Sequence, residues 1–399
     1  MLRQLTPLAS SASSSSWVSS MVTRTPMRHV THASAATVSL TIPGLSPHVR
    51  HDWTKAEVQS IYDQPLLELV YKAATVHRMH FDPTEVQQCT LLSIKTGGCT
   101  EDCKYCSQSS RYKTFVKPEP TKKVDEVVEM ARRAKAAGST RFCMGSAWRE
   151  VGKKHAFQHV LNMVRQVKAL DLEVCCTLGM LTAEQAVALK EAGLSAYNHN
   201  LDTSREHYAK VVTTRTYDDR LATIANVRRA GISVCCGGIL GLGEDKVDRI
   251  GLLHTLATMD EHPESVPINA LVSVEGTPLF DDDVAPVTAS DMARMIATAR
   301  IVMPKTMVRL SAGRMSFTDS EQGMMFMAGA NSIFNGDTLL TTANPAFEKD
   351  KMLFESFGLK GKPAYQAHKS TPYIVKVTHS APVANEAVAN EAVANEAVA

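Results

Sequence analysis

Leu91-Leu92-Ser93-Ile94-Lys95-Thr96-Gly97-Gly98-Cys99-Thr100-Glu101-Asp102-Cys103-Lys104-Tyr105-Cys106 joins a strand-like run to a loop rich in cysteine. The first six residues read as a β-strand, Gly97-Gly98 as the turn that ends it, and the cysteines as a loop at its carboxyl end. Seven more runs of this kind follow: Arg141–Gly145, Glu173–Leu178, Ala196–Leu201, Ser233–Ile239, Pro267–Val272, Val308–Ala312 and Ser332–Phe334. Between most of them lies a segment with apolar residues at helical spacing, such as Val124–Ala137 or Ala156–Leu170. Glycine stands where several of these helices would end, as at Ala192-Gly193. Eight strands with intervening helices predict an α/β fold: a complete eight-stranded parallel barrel of the TIM type with N- and C-terminal extensions. A doubly wound open sheet is the rival reading of the same alternation.

The chain has 399 residues; a barrel takes about 250, leaving room for both extensions. Hydrophobic residues at 44% and charged residues at 21% are ordinary globular values. A net charge of +2 gives no sign of a nucleic-acid partner or a membrane surface. No apolar run approaches the roughly 18 residues needed to span a bilayer.

Both ends differ from the middle. Residues 1–51 contain no Asp or Glu but carry Arg3, Arg24, Arg28 and Arg50 and a Ser-rich run from Ser10 to Ser16. That composition reads as an organellar transit peptide, the alternative being a tail without an address. From Ala384 the unit Ala-Asn-Glu-Ala-Val occurs three times, too short a repeat to build a core. The expected organisation is a transit segment over 1–51, a helical extension over 52–90, the barrel over 91–336, a capping segment over 337–372 and a low-complexity tail over 373–399.

Strand alternation carries the functional signal, since residues two apart share a face. Asn198, Asn200 and Asp202 fall on one face of the fourth run, with Tyr197, His199 and Leu201 on the other. Cys143, Asn269, and Arg309 with Ser311 stand opposite apolar neighbours in their own runs. A barrel interior ordinarily favours branched apolar side chains. Asn, Asp, Cys and Arg are costly to bury without partners, so the pattern predicts a polar lumen that binds something charged.

All nine cysteines lie between Cys89 and Cys236. An odd number argues against a disulfide framework. Cys99, Cys103 and Cys106 are spaced C-x3-C-x2-C. Three thiolates could hold zinc with a distant fourth ligand, but the usual second Cys or His pair is missing. Plant-type ferredoxin spacing, C-x4-C-x2-C, does not match either. Three thiolates on a four-iron, four-sulfur (4Fe-4S) cluster leave one iron open, and that iron can chelate the amino and carboxylate groups of S-adenosylmethionine. With Tyr105 just before the last cysteine, the motif resembles that of radical S-adenosylmethionine enzymes. Gly237-Gly238-Ile239-Leu240-Gly241-Leu242-Gly243-Glu244 is similar to their G-x-I-x-G-x-x-E turn.

Further stretches narrow the resemblance. Leu92–Cys99, Tyr105–Ser109, Tyr197–Thr203, Thr213–Tyr217, Ser265–Asn269 and Val308–Arg314 resemble the biotin synthase family, and the likeness runs from about Trp53 to about Leu359. The resemblance implies conversion of dethiobiotin to biotin with S-adenosylmethionine as radical source, a homodimer, a reductant and iron–sulfur assembly proteins as partners. It also implies residence in the mitochondrial matrix, ahead of a plastid. The 4Fe-4S ligands fall on Cys99, Cys103 and Cys106. Those of a second, two-iron, two-sulfur (2Fe-2S) cluster that supplies the sulfur fall on Cys143, Cys175, Cys235 and Arg309. S-adenosylmethionine contacts fall on Asn200, Asp202, Arg220, Gly237, Ile239 and Gly241. Dethiobiotin contacts fall on Asn198, Asn200, Asn269, Thr341 and Thr342, and no general acid or base is implied. A hydrogenase-maturation-like relative would keep the first cluster but need not keep the second ligand set. A non-catalytic metal scaffold would leave the Asn198/Asn200/Asp202 face without a purpose.

Alternation also chooses within the doubled cysteines. Val174, Cys176 and Leu178 form an apolar set suited to packing under helices, which leaves Cys175 with Thr177. Val234 shares its face with Cys236, leaving Ser233, Cys235 and Gly237 opposite. Cys175 and Cys235 are therefore expected in the lumen, and Cys176 and Cys236 behind the strands.

Overall fold

The computed structural model describes residues 48–363 apart from 153 and 283. The transit segment up to residue 47, the end of the capping segment from 364, and the tail over 373–399 lie outside the described residues. The barrel strands are β1 (Glu85–Lys95), β2 (Arg141–Ser146), β3 (Glu173–Thr177), β4 (Ala196–Asn198), β5 (Ser233–Cys235), β6 (Gly238–Leu240), β7 (Ser265–Ala270), β8 (Met307–Leu310) and β9 (Ser332–Asn335). All their pairings are parallel, in chain order, and β1 pairs with both β2 and β9. The ring is therefore closed, with β5 and β6 as two pieces of one stave, and the open-sheet rival is set aside.

Two helices, α1 (Lys55–Tyr62) and α2 (Leu66–His80), precede the barrel. Trp53 ties this extension down by donating its indole N–H to the Val302 carbonyl at 3.1 Å. The helices between staves include α3 (Val124–Ala136), α4 (Lys154–Lys168) and α5 (Ala183–Glu191). The last of these shows why they form where they do. Thr182 accepts from the Gln185 N–H while the Gln185 side chain accepts from the Thr182 N–H, a capping box of the kind that stabilises by about 1 kcal/mol. At its other end Gly193 takes φ +98°, a left-handed turn that a side chain would strain.

Four strands depart most from expectation, the others shifting by one or two residues at their ends. β1 begins at Glu85 rather than Leu91, because Gln87 and Gln88 hide a strand whose amides are satisfied by β9. The fourth run ends as strand at Asn198 rather than Leu201, where the chain bends toward Asp202 at φ +68°. The sixth run is β7, displaced toward the N-terminus to Ser265–Ala270. The fifth run is interrupted at Cys236-Gly237. A Cβ on Gly237 would lie 2.0 Å from the Pro267 carbonyl oxygen, so only glycine permits this approach.

Apolar packing falls into two clusters. The larger lies between strands and helices and contains Val174, Cys176, Leu178, Val234 and Cys236. The smaller lies inside the ring and contains Cys89, Cys143, Cys175, Ala196, Phe334 and Leu339. Alternation along each strand is what separates them. Beyond the last stave a short hairpin, β10 (Thr338–Leu339) with β11 (Thr342–Ala343), reaches the barrel mouth. The chain then returns to pair Lys360–Gly361 with the start of β1. No helix among the described residues is long and apolar enough to cross a membrane.

Candidate active site

The loop after β1 folds back on itself and brings its cysteines to the carboxyl mouth of the barrel. Cys99 N–H donates to the Gln108 carbonyl at 3.0 Å, Cys106 N–H to the Cys103 carbonyl at 2.9 Å, and Ser110 N–H to the Cys99 carbonyl at 2.7 Å. The loop is also pinned from outside. Asp102 accepts the backbone N–H groups of Thr213 and Thr214 at 2.9 and 3.1 Å, and Lys104 N–H donates to the Val211 carbonyl at 3.1 Å. Desolvation opposes ionisation of Asp102, but these donors win and hold its carboxyl at about 2. Beside it Glu101 is buried and paired with Arg149 at 3.2 Å, with Arg215 close by.

Burial pushes the Cys103 thiol up to about 11 and the Cys106 thiol up to about 12, and raises that of Cys99. Three thiols this reluctant to ionise suit a site whose positive charge comes with its occupant. Among the described residues no three His, Cys, Asp or Glu side chains converge closely enough to hold one metal ion.

Below the loop a cavity of about 330 Å³ opens into the lumen. Cys99, Cys103 and Cys106 line its mouth, and Cys143, Cys175 and Arg309 line its interior, with Asn198, Asn200, Asp202, Arg220 and Asn269 on its walls. Asp202 joins the two levels. It accepts from the Tyr105 hydroxyl at 3.0 Å and from the Arg220 guanidinium at 2.5 Å. Arg220 also donates to the Asn200 carbonyl at 2.6 Å and the Tyr208 hydroxyl at 2.8 Å. Asn198 donates to Asn200 Oδ1 at 3.1 Å and to the Cys235 sulfur at 3.3 Å. Asn269 is oriented by donating to the Gly238 carbonyl at 2.8 Å and accepting from Ala312 N–H at 3.1 Å. Thr341 and Thr342 close the mouth from the hairpin, with Thr341 hydroxyl 2.9 Å from that of Ser107.

Cys175 faces the lumen and Cys176 the helices, and Cys235 and Cys236 divide the same way. Of the glycine-turn residues only Ile239 lines the cavity. Gly237 lets two backbones meet, and Gly241 shapes a turn that Glu244 closes by accepting the Gly241 and Leu242 N–H groups at 3.0 and 2.6 Å.

One cavity residue and one thiol inside the ring escaped the strand pattern. His199, expected opposite Asn198 and Asn200, lines the cavity with them because alternation stops where the strand does. Its Nε2 is buried without a hydrogen-bond partner, and burial, reinforced by the Arg220 and Arg215 cations, holds its pKa well below the ordinary value. Cys89 stands on the part of β1 that lies upstream of the expected strand. Period-two counting from Leu91 would have placed it in the lumen.

A family model described as the radical SAM superfamily matches residues 93–256, and one described as the biotin and thiamin synthesis associated domain matches residues 267–360. The chain is 54% identical over 352 residues to the biotin synthase of Schizosaccharomyces pombe, covering 88% of this chain and 94% of that protein. It is 60% identical over 315 residues to the mitochondrial biotin synthase of Arabidopsis thaliana, covering 79% and 83%. With the mitochondrial biotin synthase of Emericella nidulans it shares 52% over 339 residues, 85% of each chain. Among solved structures, methylornithine synthase superposes with a TM-score of 0.66 at 19% identity, covering 78% of this chain and 94% of that one. The FeFe-hydrogenase maturase of Carboxydothermus hydrogenoformans gives 0.68 at 14%, covering 79% and 77%. At those identities the likeness is one of fold.

Proposed function

Because this chain belongs to the biotin synthase family, we propose that its lumen converts dethiobiotin to biotin through a radical drawn from S-adenosylmethionine. The observation that carries the reading is the presence of two thiol sets at two levels of one cavity, with Asn198, Asn200 and Asp202 beside them. Cys99, Cys103 and Cys106 hold the 4Fe-4S cluster at the mouth. Cys143, Cys175, Cys235 and Arg309 hold the 2Fe-2S cluster in the lumen. With these groups bound, the site supplies a 5′-deoxyadenosyl radical that takes hydrogen from carbons 9 and 6 of dethiobiotin, and the second cluster is spent as sulfur donor.

The chain's own part is to hold and to exclude. Asp202 and Arg220, fixed on each other, meet the amino and carboxylate ends of S-adenosylmethionine, with Asn200 and Ile239 beside them. Gly237 and Gly241 shape that wall through the backbone. Asn198, Asn200 and Asn269 give amide partners to the ring of dethiobiotin, and Thr341 and Thr342 cover it. Orientation decides which hydrogen is lost, and the closed ring keeps water from the radical. No side chain serves as a general acid or base.

The chain works as a homodimer with a reductant and iron–sulfur assembly proteins. It resides in the mitochondrial matrix, a reading supported by mitochondrial relatives and by the acid-free first 51 residues. The two helices before β1 brace the barrel, and the chain after β9, as far as residue 363, caps it. The test is anaerobic reconstitution with iron and sulfide, followed by dethiobiotin, S-adenosylmethionine and a reductant. Biotin formation supports the reading, and bound zinc with no biotin contradicts it.

A further inference from the structure

Arg215 lines the cavity together with Cys99, Cys103 and Cys106, and its side chain keeps only 9% of its surface exposed. Its Nε is buried without a hydrogen-bond partner, and the one carboxylate within 4 Å among the described residues is Glu101, at 3.9 Å. Arg141, Arg220, Arg300 and Arg314 are also buried, but each donates hydrogen bonds to a carboxylate, a carbonyl or both. Glu101 is not free to answer Arg215. Its Oε2 accepts from the Thr214 hydroxyl, and its Oε1 lies 3.2 Å from Arg149 Nη1.

One buried carboxylate thus stands between two guanidiniums, and positive charge is left over at the mouth. The other acids nearby do not cancel it. Asp202 is paired with Arg220 at 2.5 Å, and Asp102 is answered by the Thr213 and Thr214 N–H groups and does not line the cavity. A buried guanidinium without partners is costly, so the site calls for an anionic occupant. Sulfur meets that need. Thiolates and sulfides around iron carry negative charge, and a reduced cluster carries one unit more; net charge and hydrogen bonds to the sulfurs set its potential. The carboxylate of S-adenosylmethionine is the rival, but it already has the open iron and Arg220. The loop that carries Arg215 is fastened to the segment between Cys99 and Cys103, through Asp102.

We propose that Arg215 is the charge partner of the first cluster, donating to its sulfurs and stabilising the reduced form. This rests on Cys99, Cys103 and Cys106 holding that cluster. The electron comes from the reductant and leaves in cleavage of the sulfonium carbon–sulfur bond, so Arg215 keeps its protons throughout. Glu101, set between Arg215 and Arg149, offsets part of the charge that Arg215 brings.

The test is a redox titration of the anaerobically reconstituted chain, with the reduced 4Fe-4S signal read by electron paramagnetic resonance. Iron content and circular dichroism serve to confirm that each variant is loaded and folded. Arg215→Met should make the first cluster harder to reduce. At a fixed potential its reduced-to-oxidised ratio should fall about tenfold, the worth of one hydrogen bond to a charged group. Arg215→Lys restores the cation and should recover part of that loss. Glu101→Gln removes the carboxylate and should shift the midpoint the opposite way, which mere damage to the loop would not do. An unchanged midpoint in Arg215→Met overturns the proposal, and weaker S-adenosylmethionine binding beside it would give Arg215 to that ligand's carboxylate. Shifts of the same sign in Arg215→Met and Glu101→Gln overturn it as well. Should Arg215→Met not take up the cluster, Glu101→Gln decides, and a midpoint unchanged or lowered there is fatal. Cys103→Ser separates this from the underlying reading. If that variant keeps the signal of the parent chain, the seat of the first cluster is elsewhere and the functional reading fails too. If it loses the signal while Arg215→Met leaves the midpoint in place, only the role of Arg215 falls.

Discussion

Tyr105 and Asp202 are joined across the barrel mouth, the phenol donating to the carboxylate at 3.0 Å although they stand 97 positions apart in the chain. The bond couples the cysteine loop to the end of β4, so the residues assigned to the first cluster and those assigned to S-adenosylmethionine are registered on each other. Tyr105→Phe keeps the ring and removes the bond. It should leave the iron content unchanged and weaken S-adenosylmethionine binding up to about tenfold, the worth of one hydrogen bond. Equilibrium dialysis against the reconstituted protein measures this, and unchanged binding would show that the bond plays no part in placing the ligand.

Asp202→Ala should do more, because it strands the buried Arg220. Breaking such a pair costs about 3–5 kcal/mol. Loss of stability in urea should therefore accompany loss of binding. Arg220→Lys keeps the charge but not the fork that reaches Asp202, Tyr208 and the Asn200 carbonyl, and should fall between the two.

The doubled cysteines give a paired test. Cys175→Ser and Cys235→Ser should remove the second cluster and biotin formation while S-adenosylmethionine still binds. Cys176→Ala and Cys236→Ala, changes in the outer core, should cost only about 1 kcal/mol and keep both clusters. Iron analysis of the four variants decides it, and the reverse pattern would mean that the strands are out of register.

Stability should also depend on pH through His77, which lies on α2 away from the cavity. It is 2% exposed and its Nε2 has no hydrogen-bond partner. Burial, with the Arg300, Arg78 and Lys362 cations adding to it, holds its pKa well below 6.5 in the folded chain. The unfolded chain therefore takes up the proton first. The stabilisation is complete above about pH 6.5 and is lost as pH falls below it, by at most about 1.4 kcal/mol per unit for this group. Urea midpoints at pH 7.5 and 5.5 should show a smaller drop for His77→Gln than for the parent chain. Equal drops would exclude His77 as a cause.

Much of this site was legible because strand alternation is a local rule. Val174, Cys176 and Leu178 announce an outer face, so Cys175 had to look inward, and the structure places both as expected. The ring closure was legible in the count of strand-like runs, and the cysteine loop in its spacing. What escaped depended on neighbours distant in sequence. The polar start of β1 becomes strand only because β9 closes on it, so Cys89 stayed hidden in a segment read as helical. His199 was assigned to the wrong face because the bend at Asp202 ends the alternation that placed it. The pinning of Asp102 by Thr213 and Thr214 has no local signature at all.

The central claim is that one lumen holds both the radical source and the sulfur that enters dethiobiotin. The most direct measurement reconstitutes the chain with sulfide carrying a heavy sulfur isotope, exchanges it into unlabelled buffer, and adds dethiobiotin, S-adenosylmethionine and a reductant. Mass spectrometry of the product is then read beside the visible spectrum. The account predicts labelled biotin appearing in step with loss of the second cluster's absorption, and no biotin from Cys175→Ser. Unlabelled biotin, or biotin formed while that absorption persists, would contradict it.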